Sequence, residues 1–177
     1  VLVVGGSLGT RTLNEMMKAW ILTLNGTAPV QVIWQTGKFY ESEMKEFLAQ
    51  HPTANIWQGA FIERMDYAYG AADVVHSRSG ACTVSELCLV AKPTIFVPSP
   101  NVAEDHQTKN AMALVERGAA EIVRDSEAVE RGMREAVALA LDVERREQLS
   151  ANIASLAISD SAERVVMEIE ALLTARK

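Results

Sequence analysis

At 177 residues, 49% hydrophobic and 23% charged, the chain has the composition of one globular domain with apolar material for a real core. Its 17 basic and 23 acidic side chains leave a net charge of −6, which argues against a nonspecific grip on nucleic acid through broad positive potential, so any phosphate must be held by local geometry. No apolar run approaches the ~18 residues of a membrane span. The two cysteines, Cys82 and Cys88, lie six apart, match neither a metal pair nor a disulfide framework, and suit a reducing cytoplasm.

Val1–Val4 reads as a buried strand that starts without a polar lead-in, which sets the expectation of a piece of a longer protein. A glycine-rich turn then leads into helical period over Arg11–Leu24. Further strands follow at Val30–Gln35, Asn55–Gln58, Asp73–His76, Thr94–Pro98 and Glu121–Val123. Between them lie helices at Tyr40–Gln50, a short turn near Met65–Ala71, Thr83–Val90, and His106–Arg117 with Gly118 as its stop. After Val123 the pattern is almost continuous helix, broken near Asp142 and Ser159–Asp160. Strands alternating with helices predict an α/β fold, a doubly wound, Rossmann-like parallel sheet of about six strands with a helical C-terminal tail. No linker or repeat divides residues 1–177, so one domain is expected. The tail, Ala162–Ala175, carries one apolar stripe of Val165, Val166, Ile169, Leu172 and Leu173. That stripe is expected to pack on this domain, with a missing portion of the protein as the alternative partner.

In such a sheet, ligands sit beyond the carboxyl ends of the strands, which directs attention to four loops. "GGSLGT" (Gly5–Thr10) offers close backbone approach to a phosphate through Gly6 and a hydroxyl at Ser7, or a merely structural turn. It lacks the dinucleotide fingerprint, and "QTGK" at Gln35–Lys38 lacks the leading glycine of a Walker loop. In "QGAFIERM" (Gln58–Met65), Phe61 and Ile62 cover a flat ring or plug the core, the commoner fate, while Glu63 and Arg64 are expected in solvent. "HSRSGACTVSEL" (His76–Leu87) opens a helix rich in small residues, whose uncovered N–H groups attract anions. There Thr83 and Glu86 form either a capping box with Thr83 as N-cap, or a site where Glu86 accepts from the vicinal hydroxyls of a ribose. Arg78 adds a cation for a phosphate or a carboxylate. "VPSPNVAEDHQTKNA" (Val97–Ala111) presents a polar cluster that reads sugar hydroxyls or acts as a wet cap with Asp105 as N-cap. His51, His76 and His106 are scattered and complete no metal-ligand pattern.

"GGSLGT", "QTGK", "FIERM", "ADVVHSRSGACTVSEL", "KPTIFVPSP" and "AEDHQTKNA" occur in the order and spacing of a known family. From Val1 to about Ala120 the chain resembles the C-terminal half of the bacterial undecaprenyl-diphospho-muramoylpentapeptide β-N-acetylglucosaminyltransferases, the family that forms lipid II; beyond Ala120 only helical character is shared. The resemblance implies a GT-B architecture of two Rossmann-like domains, of which this chain is the donor-binding one and the N-terminal acceptor domain is absent. It implies a hexosyltransferase that moves N-acetylglucosamine from UDP-N-acetylglucosamine to lipid I in peptidoglycan biosynthesis, peripheral at the cytoplasmic face of the membrane, with this piece inactive alone. By the same resemblance Ser7 lies near the diphosphate, the Ile62 backbone meets the uracil edge and Phe61 caps the base. Ala81, Cys82, Thr83, Val84, Ser85 and Glu86 line the nucleotide, with Glu86 on the ribose, and Gln107 holds the sugar hydroxyls. Gly6 and Arg78 are additional candidates, and no catalytic residue, metal or cofactor is assigned. Cys82 replaces a bulkier apolar residue of the family pattern. Two readings compete: the donor half of another sugar-nucleotide transferase or epimerase of the same architecture, and a noncatalytic nucleotide-binding module.

Overall fold

The computed structural model describes residues 1–174. Its strands are β1 (Leu2–Val4), β2 (Thr27–Gln35), β3 (Ala54–Gly59), β4 (Val75–Ser77), β5 (Thr94–Phe96) and β6 (Glu121–Ile122). All pair in parallel in the order β3-β2-β1-β4-β5-β6, the doubly wound arrangement that the alternating pattern predicts. The chain reverses its direction of travel across the sheet between β1 and β4, and a crevice opens there beyond the strand ends. The helices are α1 (Arg11–Ile21), α2 (Glu41–Gln50), α3 (Met65–Ala71), α4 (Ala81–Leu89), α5 (His106–Val115), α6 (Asp125–Leu141), α7 (Val143–Ala154) and α8 (Ser161–Thr174). One turn of 3-10 helix, Ala103–Asp105, precedes α5.

A parallel sheet covered on both faces must be apolar on both. At the start of the chain Val1 and Val3 join one cluster with Leu13 and Met17 of α1 and Met133 of α6. Leu2 and Val4 point the other way, into a cluster with Tyr69 of α3, Leu87 of α4 and Leu114 of α5. His76 of β4 is fully buried against α6, where Gly132 leaves room for the ring and for Met16. Neither ring nitrogen has a hydrogen-bond partner, and burial pushes the imidazole down to about 4, the nearby Gly132 backbone opposing that only in part.

Several sequence expectations are corrected. β2 begins at Thr27 and tolerates Pro29 because β1 pairs only with Ile33 to Gln35, so no neighbour on that side calls for the missing N–H. β5 stops at Phe96, two residues before Pro98. α4 begins at Ala81 with Gly80 as its N-cap, so Thr83 lies inside the first turn and the Thr83–Glu86 capping box does not form. Asp105 does hold the N-cap position of α5, but in a left-handed conformation (φ 52°) and without a side-chain capping bond. The largest correction concerns α8. Val165, Val166, Ile169, Leu172 and Leu173 are all more than half exposed, so the stripe packs on nothing among the described residues. Ala175, the last residue of the expected tail, lies outside the described residues. No helix among the described residues is long and apolar enough to cross a membrane.

Candidate functional site

The loops after β1 and β4 flank the crevice. After β1, Thr10 Oγ1 donates to the Gly5 carbonyl at 2.9 Å and the Gly9 N–H to the Gly6 carbonyl at 3.0 Å, which closes the glycine turn on itself. Gln35, at the end of β2, donates from Nε2 to the Gly6 carbonyl at 3.1 Å. Gly9 (φ +84°) crosses Gly37 (φ +82°) backbone to backbone, leaving no space for a Cβ on either. "GGSLGT" and "QTGK" are therefore two halves of one crossing. Asn14 fixes α1 beneath it, donating to the Thr36 carbonyl at 3.0 Å and accepting from Trp34 Nε1 at 2.9 Å.

After β4, Arg78 turns inward. Its Nη1 donates to the carbonyls of Val97 (2.8 Å) and Pro98 (3.1 Å) and to Asp125 Oδ1 at 2.5 Å. Asp125 Oδ2 accepts from Thr12 Oγ1 at 3.1 Å, so one carboxylate ties the start of α6 to α1 and to the β4–α4 loop. Of the two partners that the sequence allows Arg78, a phosphate or a carboxylate, the structure supplies the carboxylate of Asp125. The ion pair is mostly buried, and Asp125 faces a second hollow of about 850 Å³ beyond it, bounded by Pro98, Met112, Ile122 and Arg131.

The starts of α1 and α4 share one property. Neither has a side-chain cap and neither carries an acidic residue in its first turn. Their free N–H groups and positive dipole ends meet at the same edge of the sheet, a setting for an anion. Glu86, one turn further along α4, accepts from the hydroxyl of Tyr69 at 3.2 Å. Burial first, and then the Glu86 charge, push the Tyr69 phenol up to about 12, so it remains a donor. Gln107 at the start of α5 accepts from the Ser99 N–H through Oε1 at 3.0 Å, which leaves its amide N–H groups as donors to a ligand. Ser79 Oγ donates to the Gln107 carbonyl at 2.8 Å and Asn110 Nδ2 donates to the Ser79 carbonyl at 3.1 Å, locking the start of α5 to that of α4.

Together these groups enclose a cleft of about 430 Å³, within the usual size for a small-molecule site. Of the residues singled out in the sequence, Gly6, Arg78, Thr83, Glu86 and Gln107 line it. Ser7 is exposed on the adjoining glycine turn, and Ala81 and Cys82 are exposed at the α4 start. Ile62 is half-buried against the second core cluster, and Phe61 beside it stays exposed instead of plugging the core. Glu63 and Arg64 lie in solvent, where Arg64 pairs with Asp66. Val84 and Ser85 line a different hollow with Leu114 and Leu156, so at the cleft they have only backbone to offer. Gln35, Tyr69 and Ser99 also line the cleft and were not singled out. Tyr69 sits on a different helix, 17 residues from Glu86, and no local pattern joins them. Among the described residues no three His, Cys, Asp or Glu gather as metal ligands.

Residues 1–165 match the family described as glycosyltransferase family 28 C-terminal domain. A protein of Parabacteroides distasonis named UDP-N-acetylglucosamine--N-acetylmuramyl-(pentapeptide) pyrophosphoryl-undecaprenol N-acetylglucosamine transferase is 50% identical over 169 residues, 96% of this chain and 46% of that protein. One of the same name from Porphyromonas gingivalis is 49% identical over the whole chain, again 46% of its own length. The chain thus spans about half the length of the curated relatives it matches. The crystal structure of Acinetobacter baumannii MurG superimposes with a TM-score of 0.82 at 30% identity, covering 96% of this chain and 51% of that one. The sheet and its flanking helices correspond to the C-terminal half of that GT-B fold.

Proposed function

The chain belongs to the glycosyltransferase family 28 C-terminal domain family, and from that premise we propose that it is the donor-binding half of a UDP-N-acetylglucosamine-dependent hexosyltransferase. The whole protein would transfer N-acetylglucosamine to the undecaprenyl-linked acceptor lipid I, forming lipid II for the cell wall. The observation that carries this reading is the convergence of the glycine turn, the uncapped α4 start, Glu86 and Gln107 on one cleft at the β1/β4 crevice.

In this reading the diphosphate lies against the N–H groups of α1 and α4, beside Gly6 and Ser7. As the sugar departs, negative charge grows on the diphosphate, and preorganised N–H dipoles stabilise it. The reading therefore requires no metal ion. Glu86 accepts from the ribose hydroxyls, the Ile62 backbone and Phe61 meet the base, and Gln107 donates to the sugar. Acceptor binding and proton removal fall to the other half of the protein. The polyprenyl tail of the acceptor brings the whole enzyme to the inner face of the cytoplasmic membrane as a peripheral protein.

The test is a calorimetric titration of the chain with UDP-N-acetylglucosamine, UDP-glucose and a thymidine diphosphate sugar. UDP-N-acetylglucosamine is expected to bind tightest, and Glu86→Ala to weaken it by about 1–3 kcal/mol through the lost charged hydrogen bonds. No transfer to a lipid I analogue is expected from the chain alone. Equal affinity for all three sugars, or turnover by the isolated chain, overturns the assignment.

A further inference from the structure

Glu86 is exposed on α4, where a glutamate turns freely about three torsions, and a ligand that needs its carboxylate must first immobilise it. Here that ordering is already supplied from another helix. Tyr69 is buried in the cluster beneath the cleft, so its ring is held by packing and its hydroxyl is a fixed point. That hydroxyl donates to Glu86 Oε2 at 3.2 Å, and no other side-chain hydrogen bond among the described residues reaches the Glu86 carboxylate. Both residues line the cleft. A carboxylate tethered at one oxygen keeps its remaining lone pairs in a set direction, the arrangement that suits two neighbouring O–H donors of a diol.

We infer that Tyr69 is a positioning residue that holds Glu86 aimed at the ribose, so that the discrimination of this cleft between ribonucleotides and 2′-deoxyribonucleotides depends on the Tyr69 hydroxyl. The inference rests on the donor reading above and adds to it the side chain that orients Glu86. The preference follows from geometry. A preset carboxylate gains one strong hydrogen bond from each hydroxyl of the diol, and loses one when the 2′-hydroxyl is missing. A mobile carboxylate settles on the single remaining hydroxyl and discriminates less.

The experiment measures the affinities of the purified protein and its variants for UDP and for 2′-deoxy-UDP. The wild type is expected to favour UDP by about tenfold, the scale of one charge-assisted hydrogen bond. Tyr69→Phe keeps the ring and removes the hydroxyl; it is expected to cut the ratio to about threefold or less, mainly by weakening UDP, with the unfolding temperature as a check on folding. Glu86→Asp leaves Tyr69 untouched but draws the carboxylate back from its hydroxyl, and is expected to lower the ratio likewise. In a Glu86→Gln background, adding Tyr69→Phe is expected to change the ratio no further. Equal weakening of both ligands by Tyr69→Phe marks a purely structural role and overturns the inference. So does an unchanged ratio in Tyr69→Phe or Glu86→Asp when Glu86→Gln abolishes it. If Glu86→Gln itself leaves the ratio intact, the ribose assignment fails, and if the wild type binds neither ligand the donor reading fails with it.

Discussion

Helix α7 opens on Asp142, whose carboxylate accepts from the Arg145 N–H at 2.9 Å, with Glu144 in the same first turn. Helix α4 opens on Gly80, with no side-chain cap and no acid in its first turn. Both helices bury side chains in the second core cluster, Leu87 and Cys88 from α4 and Ile153 from α7, and both start with the usual N–H groups that no helix carbonyl reaches. At α7 the Asp142 carboxylate satisfies one of them, which stabilises the fold. At α4 no side chain caps them, at the strand ends where the sheet reverses direction. α6 shares with α7 only the acids of its first turn, Asp125 and Glu127, without a side-chain cap, and α1 resembles α4 in lacking both. Among the described residues, the α-helices that start with neither a side-chain cap nor an acid in the first turn are α1, α4 and α5, and Thr10, Gly80 and Gln107 at their starts all line the cleft.

The largest expected effect sets the baseline for testing that contrast. His76 is held neutral to about pH 4 in the fold and has an ordinary value of 6.5 when unfolded, so the unfolded chain binds the extra proton between those values. Stability present above pH 6.5 is therefore lost as the pH falls, by about 3 kcal/mol on reaching pH 4. Urea unfolding across this range measures it, with His76→Leu as the control that keeps the carboxylate slope and lacks the imidazole contribution. An equal slope in both proteins removes His76 as the cause. Next in size, Gly80→Asp makes α4 resemble α7. The position is extended (φ −63°, ψ 149°) and a Cβ there meets only Thr83 Oγ1, at 4.0 Å, so the fold accepts the change. Thermal unfolding should shift little, with a gain of a few tenths of a kcal/mol from the cap, while UDP affinity drops about tenfold or more from charge repulsion. Undiminished UDP binding would show that the bare start is not where the phosphates lie. The smallest effect is the converse. Asp142→Ala should cost about 1 kcal/mol in urea unfolding and leave UDP titrations unchanged.

Much of this was legible along the chain because it is local. The strand and helix alternation, the glycine turn, the small residues before Glu86 and the break at Asp142 depend on spacings of a few residues, and the structure places them close to where those spacings put them. Thr83 and Glu86 satisfy a capping pattern that does not place the N-cap of α4, because tertiary contacts override it, Ser79 being held from α5. Gln35, Tyr69 and Ser99 are not legible as site residues in the sequence for a related reason. A glutamine at a strand end, a tyrosine on a short helix and a serine between prolines carry no local signature of a site.

The amino-acid sequence by itself determined the layer architecture, since apolar periodicity and turn chemistry act between near neighbours, and it determined which loops reach the crevice. Only the tertiary structure decided which side chains meet there. The Tyr69–Glu86 bond, the Arg78–Asp125 pair, the Gly9–Gly37 crossing and the unpartnered stripe of α8 join or separate residues far apart in the chain. Such partnerships arise because a packed sheet brings distant backbone segments within hydrogen-bond reach, a distance that sequence separation does not encode.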